Sequence, residues 1–169
     1  MIAADRFTDT IRVGLISDTH GWLDQRAVQA LEREAPLAGI LHAGDIGSDE
    51  VLYELEQIAH VTAVLGNCDY PLPGFDLGDI ARVGLGGKSI VVVHNIAHLD
   101  PLPGDGIVVH GHSHRPRMEW QQGRLILNPG SATQRRHQPS CSVGILEITG
   151  DGNASARIIY LDDLGTRTR

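Results

Sequence analysis

The sequence predicts an α/β fold in which two mixed β-sheets pack as a sandwich flanked by helices. Three observations point there. The first half alternates strand-length apolar runs with amphipathic helical stretches, the second half carries repeated hairpin signals, and no linker separates the two. At 169 residues the chain suits a single domain, 1–169, of a size that buries roughly 70% of its unfolded surface. Its 20 glycines fall mostly between apolar runs, as tight turns require.

Residues 11–17 read as a buried strand. Asp24 offers an N-cap to a helix with Leu23, Ala27, Val28 and Leu31 along one side, ending near Pro36. Residues 39–43 form a second short strand. Ser48 can cap the next helix, with Asp49 and Glu50 in its first turn, where the helix dipole favours anions. Val51, Leu52, Leu55 and Ile58 give that helix its apolar face, and residues 61–65 make a third strand. This order predicts parallel pairing through right-handed crossovers. Beyond it, residues 81–85 and 89–93 flank Gly86-Gly87, and 118–121 and 124–127 flank Gln122-Gly123. Residues 143–149 and 154–161 flank a loop with Asp151-Gly152-Asn153, so each pair reads as a hairpin. Residues 1–9 and 166–169 are expected to fray.

Charge narrows the partners. The formal net charge is −7 and Lys88 is the only lysine, which gives little help in holding a polyanionic backbone, so high-affinity nucleic-acid binding is not expected. Apolar runs such as 90–93 are too short to span a bilayer, and Asp5, Arg6 and Asp9 do not fit a signal peptide. Cys68 and Cys141 make neither a disulfide framework nor a zinc-type pair. A cytoplasmic protein with no membrane partner is the expectation.

The residues just past each strand carry the informative pattern. Asp18 and His20 come after the run 13–16, Asp45 after Ile40-Leu41, and Asn67 after Val64-Leu65. His94 comes after 91–93, and His112 and His114 after 107–109. Five apolar segments thus end in residues with metal-ligand chemistry, on loops that an α/β sheet can gather beyond its carboxyl edge. Each fragment alone is weak, since Gly-Asp and Gly-Asn are ordinary turn pairs. Their shared placement is not. Imidazole suits Zn, Fe and Ni, and carboxylate and amide oxygens suit harder ions such as Mn, so the set suits two divalent cations. One carboxylate must bridge them if they are to lie roughly 3.5–4 Å apart. Two dications less Asp18 and Asp45 leave a charge of about +2, or +1 with a hydroxide, a positive centre for a phosphate anion.

Asp18-Thr19-His20, Gly44-Asp45, Gly66-Asn67-Cys68-Asp69, His94 and Gly111-His112-Ser113-His114 resemble the calcineurin-like metallophosphoesterases. The small size, Cys68 and Asn128-Pro129-Gly130-Ser131 are similar to the short YfcE-type phosphodiesterases, a family close in fold to the retromer subunit of that superfamily. The resemblance implies an α/β/β/α sandwich over about residues 11–160. It implies one metal on Asp18, His20, Asp45 and His114, and another on Asp45, Asn67, His94 and His112, with Asp45 bridging. Asp45, Asn67 and His94 then act through the metals and by positioning phosphate. The implied reaction is hydrolysis of a small phosphoester by a metal-held hydroxide attacking phosphorus in line, with Mn the expected ion and Ni, Fe or Zn alternatives. A homo-oligomer also fits relatives of this size. Cys68 stands where many relatives have a His beside the leaving group, and a thiol, with a reference pKa near 8.5, is a poorer acid. Diesters and activated esters are therefore expected over monoesters. A phosphomonoesterase and a non-catalytic binding scaffold that keeps its metal site are the other readings. Asn95 succeeds His94 where many relatives have Gly, which bears on local loop shape.

Arg135 and Arg136 could grip phosphate, although solvated surface arginines are the commoner outcome. His42 reads either as a residue orienting the ligands or as a buried structural histidine, and His110 as structural. Asp69 either holds Cys68 or a ligand loop, or is an ordinary turn carboxylate. His60, His98 and His137 read as surface residues, and Asn128-Pro129-Gly130-Ser131 as a structural turn near the site.

Overall fold

The computed structural model describes residues 10–99, 101–102 and 104–164, so both segments expected to fray lie outside the described residues. β1 (Ile11–Ile16), β2 (Gly39–His42) and β3 (Val61–Ala63) pair in parallel, joined by α1 (Gln25–Arg33) and α2 (Asp49–Glu56). A second sheet is built from β4 (Ile80–Leu85), β5 (Lys88–Val93), β6 (Gly106–Val109), β7 (Arg117–Gln121) and β8 (Arg124–Asn128), in the order β4-β5-β6-β8-β7. The last hairpin, β9 (Ser142–Ile148) and β10 (Ala154–Tyr160), returns to the first sheet, whose order is β10-β9-β1-β2-β3.

The hairpins fall where the sequence places them, but the second sheet is not antiparallel throughout: β5, β6 and β8 pair in parallel. Parallel strands share a carboxyl edge, which is how His94 and the His112–His114 loop come to leave the sheet on one side. Of the two expected helix caps, one forms and one does not. Asp24 caps α1 by accepting from Arg26 N at 2.9 Å. Ser48 occupies the cap position of α2 without capping it; its hydroxyl turns instead to Gly21 O at 3.4 Å. β3 stops at Ala63 because Leu65 N turns away to bond Gly78 O at 2.9 Å.

Side-chain alternation sorts the core into layers. Val13, Leu15, Leu41, Ile90, Val92, Ile107 and Val109 meet between the sheets. Ile16, Ile40 and Ile145 face the other way, onto Ala27, Leu31, Leu52 and Leu55 of the two helices. On the outer face of the second sheet, Val91, Val93 and Val108 lie under Leu99 and Ile96, from a single 3-10 turn (Ile96–His98) and the residue next to it. The two helices therefore cover the first sheet, and the helical layer over the second is reduced to that turn. No described helix is long and apolar enough to cross a membrane.

Ile90 is fully buried between the sheets. Ile90→Ala is expected to lower the unfolding free energy by about 2–5 kcal/mol, read as a fall in the urea midpoint at unchanged slope.

Candidate metal centre

The loops beyond the strands continue the pairing of the strands themselves. Asp18 N donates to Gly44 O at 3.0 Å, His20 N to Asp45 O at 2.9 Å and Gly21 N to Ile46 O at 2.8 Å, closing the β1 and β2 loops together. Gly111 N donates to His94 O at 3.0 Å and joins the β5 and β6 loops in the same way. Two glycines permit the close approach. A Cβ at Gly66 would fall onto the amide and carboxylate of Asp45, and one at Gly111 onto the Ser17 hydroxyl.

All seven expected ligands come together in one unbroken chain of contacts. His114 Nε2 lies 3.2 Å from Asp18 Oδ1 and 3.4 Å from His20 Nε2. His20 Nε2 is 3.9 Å from Asp45 Oδ2, and the other oxygen, Oδ1, is 3.4 Å from His94 Nε2. His94 Nε2 is 3.0 Å from Asn67 Oδ1, which is 2.9 Å from His112 Nδ1. Asp45 thus turns one oxygen toward each half of the cluster, an arrangement open to a bridging carboxylate.

Two backbone carbonyls fix the tautomers. A carbonyl only accepts, so His94 Nδ1 donates to Ala43 O at 2.8 Å and His114 Nδ1 to Gln134 O at 2.7 Å. The Nε2 atom of His94 therefore faces the Asn67 carbonyl oxygen, and that of His114 faces Asp18 and His20. Acceptor lone pairs at such distances repel unless positive charge lies among them. Asp18 Oδ1 is buried and makes no hydrogen bond of proper geometry. Burial works to raise the Asp18 carboxyl, but His114 and Ser17 outweigh it and hold the group below its usual range. His114 responds in kind: burial pulls it down, yet Asp18 and the Gln134 carbonyl leave it raised. A proton can satisfy one such pair. A divalent cation can satisfy three donors at once, and Asp18, His20 and His114 offer atoms within 4.8 Å of one another, as do Asp18, Asp45 and His94. The donor set fits metal ions.

Backbone strain is concentrated on the same residues. Asp18, His20, Asp45, His112 and His114 have φ between 49° and 68°, in the left-handed region that non-glycine residues seldom occupy. Each such residue costs of order 1–3 kcal/mol and persists only where its surroundings over-determine it. Asp69 is one source of that constraint. Its carboxylate accepts from Gly66 N at 2.8 Å, Ile46 N at 3.1 Å and Gly47 N at 2.8 Å, so it ties the Asp45 loop to the Asn67 loop. Ser131 and Thr133 are another: both hydroxyls donate to Asp18 O, at 2.8 and 3.1 Å. Asn128 donates to Gly111 O at 3.0 Å and Ser113 Oγ at 3.1 Å, bracing the His112–His114 turn.

Ser131 belongs to the turn expected to be structural near the site, whereas Thr133 and Gln134 were not legible as supports, because each acts on or through a main-chain carbonyl that no side-chain pattern reveals. The remaining expected residues take distinct places. Cys68 is exposed, with its N donating to Asp45 Oδ1 at 2.9 Å and its Sγ within 4.8 Å of donor atoms of His20 and Asp45. Partial desolvation, then the neighbouring Asp45 carboxylate, push its thiol up, so it holds its proton. Arg135 is exposed and donates to Pro139 O at 3.2 Å, whereas Arg136 is the arginine whose charge bears on His114. His42 and His110 are buried, and burial depresses both to about 4. Thr19 Oγ1 spends its hydrogen on Ile46 O, so His42 Nε2 donates to Thr19 Oγ1 at 2.9 Å. His60, His98 and His137 are exposed.

The sequence model of the calcineurin-like phosphoesterase superfamily domain matches residues 11–151. The chain belongs to this superfamily. A probable metallophosphoesterase of Methanothermobacter thermautotrophicus is 34% identical over 82% of this chain and 87% of its own length. Solved structures share the fold at lower identity. YfcE, a phosphoesterase from E. coli, has TM-score 0.67 at 23% identity, covering 89% of this chain and 100% of its own. An archaeal phosphodiesterase has TM-score 0.67 at 20%, covering 88% and 100%. Vps29 of Entamoeba histolytica, in complex with zinc, has TM-score 0.66 at 21%, covering 89% and 99%. Metallophosphoesterases use divalent metals, in keeping with the donor set found here.

The metal-stripped protein offers two measurements. Asp69→Ala leaves three backbone N–H groups without their acceptor and is expected to cost about 2–4 kcal/mol, together with roughly 10–100-fold in metal affinity by titration. His42 binds its proton more readily unfolded, near 6.5, than folded, near 4. Acid therefore favours the unfolded chain: stability is full above about pH 6.5 and falls by up to about 3 kcal/mol as pH drops through 4. Urea midpoints against pH should show this slope, reduced in His42→Asn.

Proposed function

We propose that this superfamily member is a single-domain phosphodiesterase that hydrolyses a small phosphoester with a two-metal centre. The observation that carries the proposal is the unbroken chain of seven donors, centred on an Asp45 that turns one oxygen to each half. In this reading Asp18, His20, Asp45 and His114 hold one ion, and Asp45, Asn67, His94 and His112 hold the other. Bound there, divalent ions supply a water acidified toward pH 7 and positive charge for the phosphate. Mn is the ion we favour, with Ni, Fe or Zn as alternatives.

The protein's own part is positioning. The strained loops fix the donors before any substrate arrives, so little is lost in reorganisation when charge develops. Asn67 Nδ2 donates only to the weak acceptor Cys68 Sγ, at 3.3 Å, and is free to turn to a phosphate oxygen. Cys68 stands on the leaving-group side. A thiol with a raised pKa is a weak general acid and gives little help to a poor leaving group, which favours diesters over monoesters. Arg135, tied to its own loop, is a secondary candidate for gripping the phosphate.

Metal-stripped protein should hydrolyse an aryl phosphodiester when Mn is restored, and Asp45→Asn should lose more than the roughly 10–100-fold typical of changes around a ligand shell. Folded protein that binds metal but turns over no ester would overturn the enzyme reading in favour of a binding scaffold. Cys68→His should raise the rate on a matched monoester relative to the diester, and an unchanged ratio would remove Cys68 from the leaving-group side.

A further inference from the structure

A cavity of about 250 Å³ opens beside the candidate centre and shares Asn67, His94 and His112 with it. Its other walls are Leu65, Gly66, Val93, Asn95, Asp79 and His98. Asp18, His20, Cys68 and His114 do not line it, so it leaves the centre on the Asn67–His112 side. Two hollows at the β4–β5 turn, of about 280 and 460 Å³, contain none of the seven donors.

Resting on the phosphodiesterase reading, we propose that this cavity seats the organic arm a diester retains, and that it selects an uncharged single ring. In-line displacement places the leaving group opposite the attacking oxygen, and Cys68 marks the leaving-group side. The retained arm needs its own place, which a monoester would not fill. The volume lies just below the roughly 300–1,000 Å³ of sites for drug-sized ligands, room for one ring within its walls. Leu65 and Val93 supply apolar walls to such a ring. Asp79 and His98 are exposed and, among the described residues, neither side chain makes a hydrogen bond or ion pair. The Asp79 carboxylate is thus free to accept from a ring hydroxyl, and it repels an arm that carries an anion.

The test uses metal-loaded protein and three diesters that share a 4-nitrophenolate leaving group and differ only in the retained arm: methyl, phenyl and 4-carboxyphenyl. The phenyl arm is expected to exceed the methyl arm in kcat/KM by about tenfold or more, through KM, and to exceed the carboxyphenyl arm as well. His98→Trp, which fills the opening, should bring the phenyl-to-methyl ratio close to one. Asp79→Arg should reverse the order of the phenyl and carboxyphenyl arms, a gain that a damaged fold cannot produce. Turnover of all three esters at similar kcat/KM, or ratios unmoved by both substitutions, overturns the proposal. Failure of the wild-type protein to hydrolyse any of the three instead sinks the phosphodiesterase reading, and this inference with it.

Discussion

Facing lone pairs impose the constraint on which the rest of this structure depends. Two imidazoles whose Nδ1 hydrogens are spent on backbone carbonyls turn their Nε2 atoms toward a carboxylate, an amide oxygen and another imidazole. Left without a cation, such a cluster would push itself apart. It is held by the fold, and the holding is visible as strain: five of its seven members sit at left-handed φ. The means of restraint are ordinary hydrogen bonds placed outside the cluster, three of them to Asp69 and two to the Asp18 carbonyl.

The sandwich serves mainly as the frame for those loops. Parallel pairing of β1 with β2 and β3, and of β5 with β6 and β8, sends the chain out of both sheets in a common sense. The apolar layer between the sheets, with Leu15, Ile90, Val92 and Leu146 almost wholly buried, locks one carboxyl edge against the other. Without that layer, Asp18 from one sheet and His114 from the other could not be held at 3.2 Å. Stability in the core and precision in the site are therefore the same property seen at two distances.

Buried histidines divide by what their second nitrogen meets. His94 and His114 each give one hydrogen to a carbonyl and keep a lone pair for the cluster. His42 and His110 are depressed by burial to about 4, and leave His42 Nδ1 and His110 Nε2 with no partner among the described residues. Residue type alone does not separate the two groups; the neighbour of each nitrogen does.

The sequence by itself determined the fold class, the hairpins and both helices and singled out the seven candidate donors, because alternation of apolar residues and the chemistry of the residue after each run are local signals. Family membership was legible for the same reason: motifs such as Gly66-Asn67-Cys68-Asp69 are short and contiguous. Only the tertiary structure decided that the last hairpin joins the first sheet, that Ser48 does not cap its helix, and that Asp69 ties two loops and is more than a turn carboxylate. Tertiary packing also brought His98, a surface histidine by its local pattern, to the wall of a cavity shared with Asn67 and His112. These outcomes rest on which main-chain carbonyls and amides come to lie nearby, and on strand partners far apart in the chain. Long-range packing sets both, so residue periodicity carries no trace of them.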